Sequence, residues 1–150
     1  MSHKIKQLLP DDIILLKELL QVFAEAFEDT QAYQSAVPNG EYLSKLLSKP
    51  DFIMLAALDD NKVVGGLAAY VLEKFEQDRR EIYIYDLAVI ESHRRKGIAT
   101  NLINELKLIA KEKKAYVIYV QADKDDEPAI KLYESLGIKE DVYHFDIQVD

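Results

Sequence analysis

The segment Arg94-Arg95-Lys96-Gly97-Ile98-Ala99 joins three cationic side chains to a glycine and to the start of an amphipathic pattern. The first N–H groups of a helix have no intrahelical partner, and the helix dipole adds positive character there. Set beside cationic side chains, such amides form a site for a phosphate or pyrophosphate. Gly97 lets an anion approach the main chain where a Cβ would intrude. The spacing is neither that of a Walker loop nor that of a dinucleotide GxGxxG turn. The competing reading is a solvated basic loop.

A lone carboxylate, Asp86, interrupts the β-forming run Glu81-Ile82-Tyr83-Ile84-Tyr85-Asp86-Leu87-Ala88-Val89. Strict alternation sets Asp86 on the side of Ile82, Ile84 and Ala88, a poor place for an ionised group unless it faces a cleft or a bulge shifts the strand. Either outcome opens it to a ligand. Desolvation there would raise its pKa, and a bound cation would lower it again. A structural carboxylate bonded to neighbouring backbone is the alternative. Other acidic residues could shape a cationic pocket: Glu28 and Asp29 after the first long helix, a cluster from Asp123 to Glu127 after the fifth strand, and Asp146 beside Phe145. Asp123 and Asp146 stand out by position, and most of the rest read as solvated loop charges. His93 and His144 are isolated; a hydrogen-bonding role fits them better than ligation, and no metal is expected.

The elements that must position these residues alternate along the chain. Residues 4–8 read as an edge strand, and Pro10-Asp11-Asp12 offers a helix start before Ile13, Leu16, Leu20, Phe23 and Phe27 at helical spacing. Asn39 caps a second helix carrying Tyr42, Leu43, Leu46 and Leu47, closed by Pro50. Residues 52–58 and 63–71 flank a polar turn and read as a hairpin, followed by a charged loop over 73–80 and a central strand over 81–89. Residues 98–113 form an amphipathic helix, 116–122 a buried strand, and 142–149 a closing strand. Between the last two, a short helix has Pro128 in its first turn and Gly137 just past its end. This order predicts an α/β layer fold with a central mixed sheet, about four flanking helices and crossovers late in the chain.

At 150 residues, 49% of them apolar, one compact domain over 1–150 is expected. The absence of cysteine removes disulfides and a thiol nucleophile. The net charge of -8 disfavours nucleic acid and attracts a cationic ligand, although acidity also serves solubility. No signal segment or membrane span is read, so a soluble, cytoplasmic chain without membrane or nucleic-acid partners is expected.

Arg94, Gly97 and Ala99 fill the Gln/Arg-x-x-Gly-x-Gly/Ala pattern, and in this respect the chain resembles the GCN5-related N-acetyltransferase (GNAT) superfamily. The resemblance implies acetyl-CoA as cosubstrate. Its pyrophosphate would lie on Arg94, Arg95, Lys96, Gly97, Ile98, Ala99 and Thr100, and its pantetheine arm on the backbone of Leu87, Ala88 and Val89. It also implies a splayed opening between this strand and the next. Tyr133, shortly before Leu136-Gly137, matches a superfamily tyrosine on the last helix. A thiol lies near pKa 8.5 and a tyrosine near 10, so Tyr133 is suited to stabilising the departing sulfur by hydrogen bonding rather than to driving its protonation. An alkylamine substrate is mostly protonated at neutral pH, and Asp86 is the candidate base, acting directly or through water.

The blocks Phe75-Glu76-Gln77, 81–89, His93-Arg94-Arg95, Gly97-Ile98-Ala99-Thr100, 115–123 and His144-Phe145-Asp146-Ile147 sharpen the likeness. They resemble aminoglycoside 3-N-acetyltransferases of the type I, gentamicin-modifying group. That resemblance implies direct acetylation of the 3-amine of the 2-deoxystreptamine ring, antibiotic resistance and a homodimer. Tyr85, Asp86, Asp123, Asp146, Glu28 and Asp29 are the candidate substrate contacts. Alternatives are a polyamine or protein-amine acetyltransferase of the same fold, or a non-catalytic acyl-CoA-binding sensor.

Overall fold

A computed structural model of the chain describes residues 3–34 and 37–150. The predicted hairpin forms from β2 (Phe52–Asp59) and β3 (Lys62–Glu73). Asp60 and Asn61 both take left-handed φ, 52° and 66°, which is the two-residue turn whose twist matches paired strands. β1 (Lys4–Gln7) adds antiparallel to β2, and β4 (Arg80–Val89) adds antiparallel to β3. β5 (Ala115–Val120) then pairs parallel with β4, giving a mixed sheet of order β1-β2-β3-β4-β5.

Helices cover both faces. On one lie α1 (Ile13–Ala26), the short α2 (Thr30–Gln34) and α3 (Gly40–Leu47). There Leu16, Leu19, Phe23 and Leu43 pack with Phe52, Met54, Ala68 and Ala88. On the other lies α4 (Ile98–Glu112), whose Ile98, Leu102 and Leu106 pack on Ile53, Leu67, Ile82 and Ile84. Each large aliphatic side chain buried this way contributes roughly 1.5–3 kcal/mol. α5 (Glu127–Leu136) follows β5, with Pro128 in its first turn, Asp126 accepting from the Ala129 N–H, and Gly137 just beyond. Asn39 caps α3 as expected, accepting from the Tyr42 N–H at 2.8 Å. Among the described residues no helix is long and apolar enough to cross a membrane.

Four expectations need correction. α1 buries Leu16, Leu19, Val22, Phe23 and Ala24, whereas Phe27 stays exposed. The helix is apolar over much of its circumference, so several stripes compete. The seat of Leu19 over Gly66, where a Cβ would collide with it, decides among them. The short α2 was not expected at all. β5 is not buried: it is the sheet's edge strand, and Tyr116, Val117 and Tyr119 remain exposed. Residues 142–149 have the alternation of a strand but make no ladder to any described strand, so no closing strand forms among the described residues.

Candidate functional site

The register of β3 and β4 settles where Asp86 points. Ala69 pairs with Ile84 and Ala68 with Asp86, so Tyr85 is an extra residue on β4. This bulge resets the alternation. Ile82 and Ile84 face the α4 core, whereas Asp86 sits on the α1 side with Ala88. Strict alternation would have placed Asp86 in the wall of the α4 core; the bulge turns it toward α2 instead.

There the Tyr33 hydroxyl donates to Asp86 Oδ2 at 2.9 Å. Burial raises the Asp86 pKa, and this hydrogen bond pulls it partly back. Tyr33 is held well above its usual value by its own burial and by the Asp86 charge, so it remains a donor. Asp29 adds a smaller upward push on Tyr33 and accepts from the Ala32 N–H at 3.1 Å, which ties the start of α2. Glu28 is exposed, with φ 51°.

Tyr85, exposed at its bulge, belongs to a row of rings that crosses the sheet. Phe52 and Tyr70 lie 5.2 Å apart, Tyr70 and Tyr85 6.1 Å, Tyr85 and Tyr83 6.2 Å, and Tyr83 stacks on Tyr119 at 4.9 Å. The Tyr83 hydroxyl donates to Gln121 Oε1 at 2.8 Å. Gln121 meets His144 at 3.0 Å, and His144 meets Asp146 at 2.8 Å. Asp146 is thereby linked to this row through side chains. Asp123 is exposed, and its carbonyl accepts from the Asp126 N–H in the turn before α5, so the structure does not join it to Asp86.

β4 and β5 pair only as far as Ile84 and Val120, while β4 runs on through Leu87, Ala88 and Val89 with β3 as its partner on the other edge. β5 itself ends at Val120, so among the described strands none pairs with that edge of Leu87, Ala88 and Val89. Beyond it a 3-10 turn (Glu91–His93) leads into the basic segment. His93 Nε2 bonds Asp59 Oδ2 at 2.7 Å, fixing the turn to the β2–β3 hairpin, and Arg94 Nε donates to the Val89 carbonyl at 3.0 Å. Arg95 takes φ 63° and Gly97 φ 80°, so the chain curls back before Ile98 opens α4. No side chain caps α4 and no acid lies in its first turn, which leaves the amides of Ile98, Ala99 and Thr100 for an anion. Arg94, Arg95 and Lys96 stand on the exposed rim of this turn.

Tyr133, half-buried on α5, packs against the α4-side core. Burial, helped by the Asp126 charge, pushes its pKa up to about 12. It therefore stays protonated throughout the neutral range. The sequence did not reveal Gln121 or the pairing of Tyr33 with Asp86, since their partners are remote in sequence.

The acetyltransferase (GNAT) family model matches residues 15–138. An aminoglycoside acetyltransferase, HMB0005, from an uncultured soil metagenomic sample is 53% identical over 100% of both chains, with a TM-score of 0.98. A second such enzyme, meta-AAC0020, also from an uncultured soil metagenomic sample and solved in complex with sisomicin, is 35% identical. The match covers 99% of this chain and 97% of that one, with a TM-score of 0.91. An uncharacterized N-acetyltransferase, YokL, derived from the SPbeta prophage of Bacillus subtilis (strain 168), is 28% identical over 130 residues, 85% of this chain and 71% of that protein. Acetyltransferases of the GNAT family use acetyl-CoA. The chain belongs to the GNAT acetyltransferase family, and within it resembles the aminoglycoside acetyltransferases.

Proposed function

We propose that this protein transfers an acetyl group directly from acetyl-CoA to the 3-amine of the 2-deoxystreptamine ring of aminoglycosides, and so confers resistance to them. The observation that carries this reading is the β4 bulge, which sets a half-buried carboxylate beside the place where β4 and β5 part. The 53% identity with an aminoglycoside acetyltransferase over the full length supports the substrate class.

In this reading the pyrophosphate of acetyl-CoA lies against the amides of Ile98, Ala99 and Thr100 and the cations Arg94, Arg95 and Lys96. The pantetheine arm runs along the open edge of Leu87, Ala88 and Val89. Asp86 takes the proton from the substrate ammonium, directly or through one water, and frees the nitrogen lone pair. The nitrogen attacks the thioester carbonyl, an N–C bond forms, the C–S bond breaks and the thiolate leaves, while the second proton shed by the nitrogen passes to the departing sulfur or to solvent. The Tyr133 hydroxyl hydrogen-bonds the departing sulfur; because its pKa lies above that of a thiol, it stabilises the anion rather than protonating it outright.

Burial of Asp86 raises its basicity toward the range useful for accepting such a proton. A polycation would be drawn to the acidic chain, with Asp29 and Asp86 on one side of the site and Asp146 on the other. Tyr83 and Tyr85 offer faces for its rings and ammonium groups. Asp123 and Glu28 would act from the rim.

The test is incubation with acetyl-CoA and gentamicin or sisomicin, with mass spectrometry and NMR location of the new amide. A single acetyl on the 3-amine is expected, and expression in a susceptible bacterium should raise the inhibitory concentration. Acetylation at another ring position would overturn the regiochemistry. Turnover of spermidine or peptide amines alone would overturn the substrate class, and CoA binding without any acetylated product would leave a sensor.

A further inference from the structure

The geometry points to Asp59 and His93 as a positioning pair that holds the turn of residues 94–97 in its diphosphate-receiving shape, without either side chain touching the ligand. This rests on the placement of the acetyl-CoA pyrophosphate proposed above. His93 Nε2 lies 2.7 Å from Asp59 Oδ2, 34 positions away in sequence, and His93 Nδ1 lies 2.9 Å from the Ser92 hydroxyl. An ionised carboxylate only accepts, so Nε2 donates; Nδ1 then accepts from Ser92 in the neutral ring and donates to it in the charged one. The ring is held at both nitrogens in either state. Its side chain is 16% exposed and that of Asp59 27%, so water competes poorly for the bond.

The turn needs support from outside. Ile90 N–H donates to the Val64 carbonyl at 2.8 Å and Ile98 is buried, so the chain is fixed at both ends of residues 91–97. Between those ends Arg95 takes φ 63° and Gly97 φ 80°. A left-handed arginine is costly and persists only where its surroundings impose it. Left-handed residues spaced this way also aim neighbouring N–H groups into one concavity, the backbone form of an anion site. Arg94 ties the segment to its own strand through the Val89 carbonyl. His93 ties it to a different body, because Asp59 pairs with Lys62 at the end of the largely buried β2–β3 hairpin, beside the tight turn at Asp60 and Asn61. Amides that already converge spare the ligand the cost of ordering them. Since Asp59 takes up any charge on His93, the pair supplies shape to the site rather than charge.

The test uses Asp59→Ala, His93→Ala and the double variant, each checked for folding by thermal melting. They are titrated with CoA and assayed with two donors, acetyl-CoA and S-acetylpantetheine, which lacks the diphosphate. Each single variant should bind CoA on the order of tenfold more weakly, and the double variant no more weakly than either. KM for acetyl-CoA should rise likewise, while kcat and the rates on S-acetylpantetheine stay within about twofold of wild type. Asp59→Asn keeps an acceptor for Nε2 and should recover most of the affinity. Equal losses on both donors, or additive losses in the double variant, would overturn the proposal. So would tighter CoA binding by Asp59→Ala, the result expected if a freed His93 cation bonded the phosphate directly. The CoA titrations need no acceptor amine, so they stand whether or not the 3-amine assignment does. A wild type that binds CoA no better than pantetheine would overturn the placement of the diphosphate, and this proposal with it.

Discussion

The hydroxyl of Tyr33 donates to Asp86 across 53 positions of sequence, joining α2 to the bulged strand β4. The bond favours the carboxylate form, and burial favours the acid. Tyr33→Phe removes the first influence and leaves the second. Asp86 then holds its proton to higher pH, and since the proposed base is the carboxylate, the acid limb of kcat/KM moves upward. On that limb turnover should fall on the order of fivefold and recover as the pH rises. An unmoved acid limb would separate Tyr33 from the titration that controls the reaction.

Asp86→Asn should separate activity from stability. Loss of a general base costs on the order of a hundredfold or more in turnover. The folded chain raises the Asp86 pKa above its unfolded value, chiefly by burial. Folding therefore binds a proton, and ionising Asp86 weakens the fold. That penalty is absent below the unfolded pKa, grows as the pH rises toward the folded pKa, and is complete above it. Asparagine carries no such penalty and can still accept from Tyr33. At neutral pH the variant's Tm should equal or exceed that of the wild type, with the gap closing in acid. Calorimetry over pH measures this directly, and a variant less stable only at neutral pH would contradict it.

The contrast between these two residues marks what the sequence could reveal. Asp86 stood out as a carboxylate in an apolar strand, but its direction depended on the register with Ala68 and Ala69, which belongs to the pairing rather than to either strand. The turn from Arg94 to Ala99 was legible because all its chemistry is contiguous, and the capped helix at Asn39 for the same reason. The pairing of Tyr33 with Asp86 was not, because the two are brought close only by the fold. The tail failed for another cause: residues 142–149 carry a strand's alternation, but alternation does not supply a pairing partner, and none of the described strands pairs with them.

Tyr133→Phe should lower kcat by about tenfold while leaving CoA affinity near that of the wild type, because the hydroxyl is proposed to act on the leaving sulfur. With its pKa near 12, Tyr133 does not titrate in the working range, so the pH profile should keep its shape as its height falls. Steady-state rates together with calorimetric CoA titration separate the two quantities. Wild-type turnover in the phenylalanine variant would end the assignment.

Arg94 and Gly97 shape the turn by different means, and their variants should fail differently. Gly97 has open space around its missing Cβ but sits at φ 80°, so Gly97→Ala meets backbone strain rather than collision. The cost is about 1–2 kcal/mol, expressed as a lower Tm together with weaker CoA binding. Arg94 uses its Nε to hold the Val89 carbonyl at 3.0 Å, which leaves the rest of the guanidinium for phosphate. Arg94→Lys keeps the charge but has no second donor in that fork. If position matters as much as charge, lysine should restore less than half of the binding free energy lost in Arg94→Ala, while Arg95→Lys, whose side chain stands on the exposed rim, should restore most of what Arg95→Ala loses. CoA titration at two salt concentrations checks the comparison; equal rescue at both positions would reduce Arg94 to a point charge.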